Sequence, residues 1–201
     1  MSSIEFKIEF VGSKELTNML GAAGVKAPQA IRRAINHTGD KAKTAMARAM
    51  AKQTGMKVSV MKRALKPLRA SDGGATSFVP GKGSLEYVLR CKGGDISLKY
   101  FKPVERAGGV YARPWGSQRF SPDAFTKSGP RGKRVASPKL HGHVFANVAG
   151  GAWRGKIQII RSGVFLANEM VKGDSAATFH RVVESDLLPR LRHELLRVLP
   201  K

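Results

Sequence analysis

Hydrophobic and polar positions alternate strictly over residues 4–10, with Ile4, Phe6, Ile8 and Phe10 on one side and Glu5, Lys7 and Glu9 on the other. A period of two is the signature of a strand with one buried face. The period changes over residues 28–50, where Ile31, Ala34, Ile35, Ala42, Ala45, Met46 and Ala49 recur at three-and-four spacing. A helix of ~3.6 residues per turn gathers them onto one stripe, which predicts a long helix with Ile31, Ile35, Ala42, Ala45 and Met46 as its structural core. The stripe is mostly alanine, so a neighbour can approach its backbone closely, and the sheet begun by residues 4–10 is the expected neighbour. Pro28 suits the first turn, where its missing N–H leaves no bond unmade, and Gly55 supplies a left-handed stop. Gly39 is the weak point, costing ~1 kcal/mol relative to alanine in mid-helix.

Shorter patterns fill the rest of the chain. Ser13 is placed to cap a short helix carrying Leu16, Met19 and Leu20, ended by Gly21 and Gly24. Val58, Met61 and Leu65 mark a short basic helix closed by Pro67, and residues 71–83 read as a loop. Leu85, Tyr87, Leu89 and Cys91 alternate, and Ile96, Leu98 and Tyr100 repeat the pattern after Gly93-Gly94-Asp95, which predicts a hairpin. Residues 110–112 add a short strand, and residues 143–148 and 156–160 form a second hairpin around Ala149-Gly150-Gly151. Over residues 175–199 Phe179, Val182, Val183, Leu187, Leu191, Leu195 and Val198 make a helical stripe that Pro189 should kink or divide. This order predicts an α+β fold in one domain, residues 1–201: an antiparallel sheet packed by a long N-terminal-half helix and a C-terminal helix.

Periodicity disappears over residues 114–142, where Gly, Ser and Pro crowd in beside Arg119, Lys127, Arg131, Lys133, Arg134 and Lys139. Such a segment buries too little apolar area to offset its ordering entropy, so it reads as a long basic loop insertion, an arm that orders against a partner. Trp115, Phe120 and Phe125 interleave with these charges and are expected to anchor the arm rather than to stack on bases.

Charge narrows the function. The 201 residues hold 36 Lys and Arg against 14 Asp and Glu, a net +22, and a surface so basic seeks anions, either nucleic acid or an acidic protein face. A membrane partner is disfavoured, because no sustained amphipathic helix carries Trp and Phe on its apolar side and no run of ~18 apolar residues exists. The N-terminus alternates instead of showing a signal-peptide block, and a single cysteine, Cys91, excludes an intrachain disulfide and a cysteine-rich zinc site, so cytoplasmic synthesis is the default. Catalytic chemistry finds little footing. His141 and His143 share a spacing that could hold a metal but lack a third ligand, and the carboxylates are too scattered for a metal-dependent nuclease. Cys91 fits a small core residue better than a nucleophile. No catalytic residue, metal or cofactor is expected.

Ala30-Ile31-Arg32-Arg33-Ala34-Ile35-Asn36-His37-Thr38, then Lys41-Ala42-Lys43-Thr44 and Thr54-Gly55-Met56-Lys57, resemble the opening helix of the minor tail protein Z family of lambda-like phages and prophages. Ile96-Ser97-Leu98-Lys99-Tyr100-Phe101, His143-Val144-Phe145, the run at 157–161 and Leu195-Leu196-Arg197 follow in the family's order, so the likeness covers most of the chain from about residue 25. The chain departs from the family at His37 and at Gly163-Val164-Phe165. The resemblance implies a non-enzymatic virion protein that completes the phage tail at or near the head–tail joint. It implies a homo-oligomeric ring, often six subunits, that meets the tail terminator, tail tube and neck proteins, with the packaged DNA end or the tape-measure protein as further partners. Charge alone supports an alternative, a sequence-independent nucleic-acid-binding protein of the ribosomal or nucleoid type.

Overall fold

The computed structural model describes residues 4–8, 14–71, 85–91, 93–129, 133–148 and 156–199. In chain order the elements begin with β1 (Ile4–Ile8), α1 (Lys14–Ala23), α2 (Ala27–Thr54), α3 (Val58–Ala64), β2 (Leu65–Leu68) and β3 (Tyr87–Cys91). The middle holds β4 (Asp95–Ser97), β5 (Val104–Arg106), β6 (Gly109–Ala112), β7 (Arg119–Pro122) and β8 (Phe145–Asn147). The chain closes with β9 (Ile157–Ile159), β10 (Arg161–Phe165), α4 (Leu166–Met170) and α5 (Gly173–Leu196). The class is α+β, and the described strand pairs are antiparallel.

The most extensive packing joins α2 to α5, so the main partner of the alanine seam is a helix rather than the expected sheet. The two helices run antiparallel. At one end Ala27, Ala30 and Ala34 cluster with Leu191 and Leu195. In the middle Thr38 Oγ1 donates to Asp186 Oδ2 at 3.1 Å and Lys41 pairs with the same carboxylate, and at the other end Ser175 Oγ donates to Gln53 Oε1 at 3.0 Å. Burial pushes the Asp186 carboxyl up, but the bonds from Lys41 and Thr38 outweigh it and hold the group below its ordinary range. Pro189 does not divide α5. Leu187, Leu191 and Leu195 stay buried on either side of it, and at ~1.5–3 kcal/mol each their burial outweighs the ~3 kcal/mol cost of the missing backbone bond.

Ala45 and Ile31, expected in the core, are only half-buried, as is Ala49 on the same stripe, whereas Ala47 and Met50 are fully enclosed; Ile31 lies at the margin of both apolar clusters. The neighbours of α2 change along its length, from α1 and the end of α5 to the larger core containing Tyr87, Leu89 and Phe101. The buried face therefore winds around the helix, and at ~100° per residue Ala47 is carried to the opposite side from Ala45. Ile35, Ala42 and Met46 are buried as expected.

β3 is the centre of a three-stranded sheet in the order β1-β3-β2. The register sets Ile4, Phe6 and Ile8 opposite Cys91, Leu89 and Tyr87, and those three β3 residues are fully buried while Val88 and Arg90 are not. The expected hairpin between residues 85–91 and 96–100 does not form. β4 pairs with β10 instead, and residues 98–101 turn into a short 3-10 helix, because Leu98 and Phe101 are both drawn into the core, which an alternating strand could not achieve. β2 is an element the sequence hides behind Pro67, which sits on an edge strand, where a missing donor is tolerated. The predicted hairpin β8–β9 and the strand β6 are present. Helix α1 runs through Gly21 and ends before Gly24, which takes φ +50. The Ser13 cap, Phe10, residues 72–83 of the expected loop and the 149–151 turn lie outside the described residues.

Helix and sheet meet at one joint. Tyr87 lies flat on α2 over Gly39, where a Cβ would come within 2.5 Å of its ring. Its hydroxyl donates to Asp40 Oδ1 at 3.1 Å, and Arg69 donates to Asp40 Oδ2 at 2.9 Å. Asn36 clamps the exit of β2 by accepting from Ala70 N at 2.8 Å and donating to Ala70 O at 2.9 Å.

Candidate functional site

The described residues of 114–142 do not form a structureless arm. β7 extends the β5-β6-β7 sheet, Phe125 bridges Phe145, and Ser128 bridges Val135. Among the described residues here the buried ones are Pro114, Ser121 and Ala124, small or polar residues that leave no hydrophobic period to read.

One carboxylate holds the segment in place. Glu105 on β5 accepts from Thr126 N at 2.8 Å, Thr126 Oγ1 at 2.9 Å and Lys127 N at 3.1 Å through one oxygen, and from Arg134 Nη1 at 2.9 Å through the other. Burial raises its affinity for a proton, yet the Arg134 and Thr126 bonds prevail and hold the carboxyl below its usual range. Arg134 also stacks its guanidinium 5.0 Å from the centre of the Phe125 ring. Arg119 donates to the backbone oxygen of Ser162 at 3.0 Å, latching β7 to β10. The aromatic residues act as anchors: the Trp115 ring reaches over Gly163, and Phe120 packs on Tyr111 with ring centres 4.7 Å apart.

The six cations offered by the sequence therefore divide. Arg119 and Arg134 are used internally, Lys127, Lys133 and Lys139 are exposed, and Arg131 lies outside the described residues.

The histidines separate as well. His141 sits exposed in a left-handed turn at φ +46. His143 is half-buried, with Nδ1 2.9 Å from Ser97 Oγ and Nε2 2.8 Å from Lys99 Nζ. An ammonium can only donate, so Nε2 accepts and the proton resides on Nδ1, donated to Ser97. Burial, then the Lys99 charge, lower the His143 pKa and favour this neutral form. Both ring nitrogens are thus engaged, and among the described residues no three metal-ligating side chains come together. Burial pushes the Cys91 thiol up to about 11, which keeps it protonated and a poor nucleophile.

A second cationic feature escaped sequence reasoning because its parts are ~40 residues apart. Lys57, Ser59 and Arg63 from α3 and its entry face Lys99, Tyr100 and Lys102 from the 3-10 turn across a cleft of about 390 Å³, and no carboxylate lines it. By contrast, the concavity of about 570 Å³ at the β5–β6 turn mixes Glu105 and Asp123 with its cations. Two short basic clusters in α3 and at residues 99–102 were the available signal, but only the fold sets them face to face. Comparison with known proteins adds no identity: no protein-family model, curated protein or solved structure matches the chain.

Proposed function

We propose that the chain is a non-enzymatic structural subunit of a phage virion, completing the tail at or near the head–tail joint as one copy of a ring. The likeness of its helix and strand motifs to the tail protein Z family supports this reading. The observation that carries it is the division of labour within residues 114–142: Glu105 and the backbone of β10 hold Arg134 and Arg119 in hydrogen bonds, while Lys127, Lys133 and Lys139 stand in solvent on the same platform. Cations presented on a fixed platform lose less conformational freedom on docking than cations on a loose loop. The contact is with acidic faces of neighbouring subunits and of tail and neck proteins.

The test is complementation of tails from a prophage lacking this subunit. The native chain is expected to restore infectious particles, and Lys127→Gln/Lys133→Gln/Lys139→Gln, with unchanged melting temperature, to restore at least tenfold fewer. Failure of the native chain would overturn the tail reading, and full activity of the triple variant would remove the platform from it.

A further inference from the structure

We propose that the cleft between α3 and the 3-10 turn at Leu98–Phe101 is a binding site for the phosphodiester backbone of nucleic acid, engaged without regard to sequence. It holds whether or not the chain completes a tail. Four cations, Lys57, Arg63, Lys99 and Lys102, line a concavity of about 390 Å³ that contains no acidic side chain. Lys41, Arg69, Arg134 and Arg190 each meet a carboxylate, of Asp186, Asp40, Glu105 and Glu194, whereas the cleft sets four cations around one concavity with no carboxylate in its lining, an unfavourable arrangement that a bound anion relieves.

The cleft is also built, not fluid. Lys99 is held from behind by His143, itself held by Ser97, and its ammonium lies 5.2 Å from the centre of the Tyr100 ring. Lys102 occupies the left-handed region at φ +51, a conformation lysine seldom takes and one that the turn imposes.

The exposed aromatic ring in the lining favours nucleic acid over an acidic protein face, because bases stack on it and carboxylates do not. The three lysine ammoniums, Lys57, Lys99 and Lys102, are point charges able to meet successive phosphates, and the Arg63 fork can grip one of them through two N–H groups. Ser59 adds a hydroxyl donor, and the half-exposed Tyr100 ring offers a face for an unpaired base. Duplex and single strand share the backbone, and their salt dependences tell them apart.

Binding of a fluorescein-labelled 20-base-pair duplex and a 20-nucleotide single strand is measured by anisotropy between 50 and 200 mM salt, for the native chain and for Lys57→Gln/Arg63→Gln/Lys102→Gln. Each phosphate that the cleft no longer neutralises should flatten the log–log slope by ~0.9 for duplex and ~0.7 for single strand. The native chain should thus lose roughly 40-fold more duplex affinity across this range than the triple variant. Lys127→Gln/Lys133→Gln/Lys139→Gln, which removes the same charge elsewhere, should keep the native slope. If the triple cleft variant fails to fold, single Arg63→Gln and Lys102→Gln variants should each flatten the duplex slope by ~0.9. An equal flattening by the platform variant would mean diffuse attraction and overturn the site. So would displacement of DNA by polyglutamate at equal charge concentration, which would reassign the cleft to acidic protein.

Discussion

Replacing Gly39 by alanine should destabilise this protein, against the ordinary rule for helices. In mid-helix the change normally gains ~1 kcal/mol. Here the new Cβ would meet three Tyr87 ring carbons at 2.5–2.6 Å, where carbon atoms ordinarily rest ~3.5–4.0 Å apart. The ring cannot slide freely, because Tyr87 is fully buried on the central strand and its hydroxyl is tied to Asp40. Overpacking of this kind costs ~1–3 kcal/mol, and loss of the hydroxyl bond adds ~1 kcal/mol. After the propensity gain, a net loss of about 2 kcal/mol remains, or about 4–8 °C in melting temperature for a chain of this size. Urea denaturation of Gly39→Ala, Tyr87→Leu and the double variant measures it. In the Tyr87→Leu background the alanine should recover its helix benefit, giving a coupling above ~1 kcal/mol. A Gly39→Ala protein as stable as the native chain would refute the joint between α2 and β3.

Ala47→Glu should abolish folding or cost several kcal/mol, while Ala45→Glu on the half-buried side should be far milder, a contrast that circular dichroism and thermal melts would read directly. Glu105→Gln should cost about 3 kcal/mol and speed trypsin cleavage after Lys127 and Lys133. Because the Glu105 pKa is lowered in the fold, its stabilisation is present above pH ~4.5 and is lost as pH falls through the folded value, so the native protein should lose more stability in acid than the variant. His143 has the reverse cause with the same slope: its folded pKa lies below 6.5, so its penalty is absent above that pH and grows as pH falls through the folded value. His143→Gln should flatten the melting-temperature profile just below pH ~6.5. Pro189→Ala should stabilise the chain by ~1–3 kcal/mol, because it restores a donor to an exposed helical turn that already has helical geometry.

Long elements were legible because one periodicity persists over many residues: the stripes of α2 and α5, the alternation in β3 and the Gly55 stop all stand in the fold. The winding of the α2 face was not, since it records which neighbours meet the helix at each point and alanine fits on any side. Strand partners were misread for the same reason. β3 and β4 alternate in sequence as a hairpin would, but the pairing is decided by β1, β2 and β10, which lie far away in the chain. Within the site, composition identified cations correctly and their use poorly. Arg134 and Lys133 are adjacent and chemically alike, yet only Arg134 reaches Glu105. The cleft shows the limit most clearly, because neither basic cluster is unusual until the fold brings them together.

The antiparallel register of α2 and α5 has a consequence for how the chain comes to its shape. Thr38 and Asp186 are separated by 148 residues, and drawing such a span into a loop costs roughly 4 kcal/mol in closure entropy beyond a fixed term. During synthesis α2 emerges long before its partner exists, so its inner surface faces the cell unpaired until the last helix is made. A seam of leucines in that position would be an adhesive. A seam of alanines exposes little apolar area per turn, which limits association with other chains during the wait. The small side chains that allow close helix packing in the finished molecule thus also reduce the apolar area that the unfinished one exposes, which leaves Ile35, Met46 and Met50 as its large apolar groups.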